Sequence, residues 1–128
     1  MRLLLDTHTF LWWDADAEPL SRTARTLLEN PSHELLLSVV SVWELYIKTQ
    51  LGKLEPRAPI DEIVAEQIRS NHLVILPVYL EHVAALNTLP LHHRDPFDRL
   101  LIAQATTEGA TLVSKDEVFK RYPVALIW

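Results

Sequence analysis

The sequence predicts an α/β fold wound on both sides of a mostly parallel sheet of about five strands, and three observations carry that prediction. Five short apolar runs without polar alternation recur along the chain, the pattern of strands buried on both faces. Longer stretches with helical spacing separate them, and regular alternation of the two element types implies parallel pairing through helical crossovers. Only two glycines occur, with no low-complexity tract or internal repeat, so nothing reads as a flexible linker and residues 1–128 read as one domain.

The elements follow in order. RLLL at 2–5 is the first strand, ending against Asp6, and a helix over about 8–15 comes next. Helical spacing at 20–29 precedes the strand ELLLS at 34–38, which runs into a helix at 39–50. A helix at 60–71 leads to the strand LVILP at 73–77 and a further helix at 79–88. The segment 96–108 has the clearest punctuation: an Asp-Pro start and Gly109 as its stop. Strands TLVS at 111–114 and VALI at 124–127 complete the sheet.

Composition narrows the chemistry. With 128 residues, 48% hydrophobic content and four Trp, the chain can bury an ordinary core. Cysteine is absent, which removes disulfides, thiolate metal sites and cysteine nucleophiles and leaves oxygen or nitrogen ligands; it also fits a reducing compartment. The opening MRLLLD meets an acid after three leucines, too short for a signal-peptide core, and no later run approaches a membrane span. A soluble cytoplasmic protein is therefore expected. The net charge of −5, from 17 acids against 12 bases, should repel a polyanion such as RNA unless acids gather around divalent cations, which reverse the local sign.

Open parallel α/β sheets bind ligands beyond the carboxyl ends of their strands. Asp6 directly follows the first strand, and Asp116 lies two residues beyond the strand ending at Ser114. Glu44 falls about two turns into the helix leaving the second strand. The helix opening at DPFD runs antiparallel to the fourth strand, so it begins over the same edge with Asp95 and Asp98. Five acids thus converge from four segments.

Each also has a bland explanation. Asp6 can N-cap its helix, and Asp95 before Pro96 is an N-cap with proline at the first helical position. Asp98 suits a helix first turn in any protein. Glu44 can pair with Lys48 at i, i+4, and Ser114 with Glu117 can form a capping box around Asp116. None of these explains the gathering at one edge, where mutual repulsion raises pKa values. A divalent cation resolves that conflict, and carboxylate oxygens with retained waters suit Mg²⁺ or Mn²⁺ better than zinc. Such a site favours phosphodiester hydrolysis.

At this point the motifs resemble the PIN-domain family, and more closely the toxin subunits of VapBC-type toxin–antitoxin pairs. LLLDTHTFLWW is similar to the family's first motif, SVVSVWELYIK to its second, HHRDPFDRLLIAQA to its third and TLVSKDEVF to its fourth. The four occur in order across nearly the whole chain. By this resemblance Asp6, Glu44, Asp98 and Asp116 take the family's metal-binding acidic positions, with Asp95 as an accessory ligand. Asp6 and Asp98 are assigned direct metal contact, and Glu44 and Asp116 a second metal, water positioning or outer support. His8 stands where many members carry Asn or Ser. The resemblance implies a three-layer α/β/α fold with a Rossmann-like sheet and an endoribonuclease that inhibits translation. It also implies a cognate antitoxin peptide across the groove and a homodimer.

Other residues admit two readings. Trp12 and Trp13 point in different directions from one helix, so they straddle the core boundary or one serves an interface. Val39, Val42, Trp43 and Tyr46 form an apolar stripe that Val40, Ile47 and Leu51 widen, suggesting contacts on more than one face. His92 and His93 read as a solvated loop, because a metal activates water without an imidazole. Arg94, Arg99 and Lys115 flank the acids as candidate phosphate contacts, Arg99 first, or as ordinary charge balance. Asp14, Asp16 and Glu18 read as a solvated connection. Among rival functions, an aspartyl phosphatase lacks its Asp-x-Asp because position 8 is His. A receiver module lacks its acid after the third strand, where Pro77 and Val78 stand. A PIN fold kept only as a binding scaffold is the nearest rival, and cleavage separates the two.

Overall fold

The computed structural model describes residues 1–128. Its strands are β1 (Arg2–Leu5), β2 (Glu34–Ser38), β3 (Val74–Leu76), β4 (Thr111–Val113) and β5 (Leu126–Ile127). All neighbours pair in parallel, in the order β3-β2-β1-β4-β5. The helices are α1 (Thr7–Ala15), α2 (Arg22–Glu29), α3 (Val39–Gln50), α4 (Ile60–Asn71), α5 (Leu80–Ala85) and α6 (Pro96–Glu108). Two 3₁₀ helices, Leu86–Thr88 and Glu117–Arg121, complete the α/β architecture.

Side chains of successive strand residues alternate between two cores. Leu3 and Leu5 join Leu35 and Leu37 beneath Phe10 of α1, Ala24 and Leu28 of α2 and Ile63 of α4. Leu4, Leu36 and Leu112 face the other way, onto Leu101, Ile102 and Ala105 of α6 with Phe119 and Tyr122. The result is three layers, with the central β1 carrying three leucines of 0% exposure. No helix is long and apolar enough to cross a membrane.

Two helices differ from the sequence expectation for local reasons. Ser21 accepts from the Ala24 N–H at 3.0 Å, so α2 starts after it and not at residue 20. The expected helix over 79–88 is six residues of α5 followed by a 3₁₀ turn, because Pro90 drives Leu89 into extended backbone (ψ 129°) and the Leu89 N–H reaches only to the Leu86 carbonyl.

Strand order sets the position of the site. The chain leaves β1 toward β2 and β3 on one side, then crosses back to place β4 and β5 on the other. Crossovers diverge at β1 and β4, which opens a crevice beyond their carboxyl ends.

Candidate active site

Asp6 and Asp116 flank that crevice. One Asp6 oxygen, Oδ1, accepts from the Thr9 N–H at 2.8 Å and so caps α1, while Oδ2 accepts from the Ser114 hydroxyl. The Ser114 oxygen in turn accepts the Asp116 N–H at 3.0 Å. A single hydroxyl therefore ties the ends of two adjacent strands together. Asp116 Oδ1 accepts from the Val118 N–H at 3.0 Å and caps the 3₁₀ helix Glu117–Arg121. The expected Ser114–Glu117 capping box does not form, because Asp116 is itself the cap and Glu117 pairs with Lys120 at 2.9 Å.

Glu44 arrives from α3, on the face that also buries Val40, Ser41 and Leu45. Thr7 donates its hydroxyl to Oε1 at 2.5 Å, and Lys48 meets Oε2 at 3.0 Å, the i, i+4 pair legible in the sequence. Asp95 caps α6 through Oδ1, which accepts the Phe97 and Asp98 N–H groups at 2.9 and 3.2 Å. Asp98 sits in the first turn, and its Oδ2 lies 3.1 Å from His93 Nε2.

These five acids line one cavity of about 90 Å³ together with Thr7, His8, Lys48 and Leu101. Burial is the main force on Asp98, and the charges of Asp95 and Asp116 add to it, so its carboxyl is pushed up to about 6 despite the His93 bond. An adjoining pocket of about 260 Å³, lined by Asp6, His8, Trp12, Lys115 and Asp116, continues the groove. There the Lys115 ammonium lies 5.9 Å from the centre of a Trp12 ring.

The family model of the PIN domain matches residues 3–125. The chain belongs to the PIN-domain family. Ribonuclease VapC22 of Mycobacterium tuberculosis is 32% identical to it over 118 residues, 89% of this chain and 86% of that protein. Among solved structures, VapBC2 from Rickettsia felis bound to a promoter DNA fragment aligns with a TM-score of 0.74 at 19% identity, covering 99% of this chain and 98% of that one. FitAcB from Neisseria gonorrhoeae aligns at 0.64 and 19% identity over 98% and 96%. At those identities the two structures speak to the fold.

Within this PIN domain, several side chains depart from the sequence expectation. His93 lies in the largely exposed loop that precedes α6, as expected, but its own ring is partly buried and held by Tyr122 and Asp98. Asp14, expected in a solvated run, has a side chain only 2% exposed because Arg57 grips both its oxygens at 2.8 and 2.9 Å. Asp16 does face solvent and pairs with Arg25. Arg99 directs Nη1 to the Pro90 carbonyl at 2.7 Å and the Tyr122 hydroxyl at 3.3 Å, outside the cavity lining. Trp12 and Trp13 both lie half-buried at the core boundary. On α3 the predicted apolar stripe is largely the outer face, with Val39, Trp43 and Tyr46 exposed.

A second acidic constellation lies apart from the crevice, where Glu81, His82 and Glu108 bring ligand atoms within 4.8 Å of one another. His82 Nδ1 accepts the Tyr79 N–H at 3.0 Å, which leaves the ring hydrogen on Nε2 to meet Glu108 at 2.8 Å. Arg2 and His82 hold the Glu108 carboxyl below its usual range, His82 having the larger effect. Both imidazole nitrogens are thus used, Nδ1 in capping α5 and Nε2 in joining it to α6. Thr7 and Ser114 are the site residues that sequence reasoning misses as supports. Their only signal is nearness in sequence to Asp6 and Asp116, Thr7 following Asp6 directly and Ser114 lying two residues before Asp116.

Proposed function

We propose that this PIN-domain chain is a single-domain, Mg²⁺- or Mn²⁺-dependent endoribonuclease, the toxin of a VapBC-type toxin–antitoxin pair. The observation carrying the proposal is the meeting of five acids from four chain segments in one cavity. The 32% identity to a ribonuclease over most of both chains supports the same chemistry.

The donor set fits a hard divalent cation. All five acidic side chains offer oxygen, Lys48 is the one Lys or Arg of the cavity lining, and Asp98 resists ionisation where it stands. Asp6, Glu44, Asp98 and Asp116 would hold the metal, with Asp95 as accessory ligand. When bound, Mg²⁺ or Mn²⁺ lowers the pKa of a water and offsets charge on the phosphate. The protein's own contribution is placement. Ser114 fixes the distance between Asp6 and Asp116, and Thr7 with Lys48 holds Glu44 at both oxygens. Lys115 and Arg99 are the proposed phosphate contacts, and Lys115 is the better placed because it lines the adjoining pocket.

The proposed partners are an antitoxin peptide laid across the groove and a second copy of the chain. The exposed α3 face, with Trp43 at 60% and Tyr46 at 41% exposure, supports an interface role. Solved neighbours of similar fold include a toxin–antitoxin complex from Klebsiella pneumoniae, with a TM-score of 0.62.

The test is incubation of purified protein with mixed cellular RNA in Mg²⁺, Mn²⁺ or chelator, beside Asp6→Asn and Asp98→Asn, followed by end-mapping. Metal-dependent cuts at discrete positions, absent in both variants, are expected. Folded, metal-loaded wild type that leaves the pool intact would return the binding-scaffold reading to first place.

A further inference from the structure

The Tyr122 hydroxyl is the hub of a small network whose hydrogen positions can be deduced. It receives the His93 backbone N–H at 3.2 Å and Arg99 Nη1 at 3.3 Å. Both groups are strictly donors, so together they occupy the two lone pairs of the phenol oxygen. The phenol hydrogen is then left to donate, and His93 Nδ1 lies 2.6 Å away. With Nδ1 accepting, the neutral ring carries its hydrogen on Nε2, which lies 3.1 Å from Asp98 Oδ2. Donation therefore runs from Arg99 to Tyr122, from Tyr122 to His93 and from His93 to Asp98.

The network is anchored at both ends. Arg99 is pinned by the Pro90 carbonyl at 2.7 Å, and Tyr122 is 5% exposed within the core beside α6. The rings of His92 and His93 meet Tyr122 edge-on, with centroids 5.0 and 5.4 Å away. The side chains of His93 and Asp98 are only 19% and 20% exposed, so water competes little for their bond.

We infer that His93 is a positioning residue for Asp98, locked by Tyr122 in the tautomer that donates from Nε2 to the carboxylate. The role assigned to it rests on the metal-dependent nuclease reading, whereas the tautomer rests on the hydrogen-bond geometry alone. A carboxylate held at one oxygen keeps a fixed aim, and removing partners of this kind commonly changes metal affinity by about 10- to 100-fold. Glutamine can supply an amide N–H close to where Nε2 stands; alanine cannot.

The experiment has two parts, both on the full chain. Imidazole ¹⁵N shifts of metal-free protein should show His93 with Nε2 protonated and Nδ1 bare, a preference weakened in Tyr122→Phe. A ring protonated on Nδ1 instead would overturn the inference. Mn²⁺ titration followed by electron paramagnetic resonance should then show His93→Ala binding roughly tenfold more weakly than wild type, with His93→Gln recovering much of the loss. Circular dichroism keeps misfolded variants out of the comparison. If His93→Ala matches wild type while Asp98→Asn loses Mn²⁺, the metal site stands and the positioning role falls. If wild type itself takes up no Mn²⁺, the nuclease reading falls and takes the role of His93 with it.

Discussion

Ionising Asp98 places a negative charge in a half-enclosed space already shared by Asp95 and Asp116, which is why its carboxyl moves from 3.8 to about 6. The sign of the consequence follows from proton counting. Between those two values the folded chain keeps a proton that the unfolded chain has lost, so stability falls as pH rises through the interval and stays lowered above it. Asp98→Asn removes the charge while leaving an acceptor for His93. Metal-free Asp98→Asn should therefore be more stable than wild type at pH 7, on the order of 2 kcal/mol, with the gap closing below about pH 4. Thermal unfolding in chelator across that range measures it. Identical pH profiles for the two chains would mean that the strain resides elsewhere in the acidic group.

At the scale of the element, Asp95 is the cap of α6 and also its proposed accessory ligand. Asp95 supplies the cap through one oxygen, and an asparagine does the same without charge. Asp95→Ala should lose about 1 kcal/mol in chemical denaturation while Asp95→Asn stays near wild type. Mn²⁺ affinity then separates the roles: a weakened Asn variant marks a ligand, and an unchanged one marks a cap alone. At the other end of α6, Gly109 has φ of 63°, and a methyl group added there would meet nothing within 4 Å. Gly109→Ala should accordingly cost about 1 kcal/mol through the backbone alone and leave metal binding untouched. The bounds of α3, α4 and α6 are legible because hydrophobic spacing and end signals such as Asp95-Pro96 and Gly109 lie next to one another in the chain. The setting of His93 is not, because its partner Tyr122 lies 29 positions away, beyond the reach of any local pattern.

Across the whole molecule, the net charge of −5 opposes a polyanion such as RNA, and the proposed cations at the cavity would reverse that sign locally. A labelled oligonucleotide resistant to cleavage should bind several-fold more tightly in Mg²⁺ than in chelator by fluorescence anisotropy, an electrostatic expectation. Equal affinity in the two conditions would remove the metal from substrate capture. Unalternating apolar runs make the parallel sheet legible, and its carboxyl edge names the acids. The strand order, which puts β1 beside β4, is not written locally; it emerges from which apolar faces the crossovers must cover. That order also fixes when in synthesis the site can exist. Ser114 reaches Asp6 across 108 positions, so a ribosome must deliver the whole intervening chain before β4 can dock and close the cavity. A nascent chain that stops short of β4 lacks Ser114 and Asp116, so the acidic lining of the cavity is incomplete. The proposed active site is thereby one of the last parts of the molecule that translation can complete.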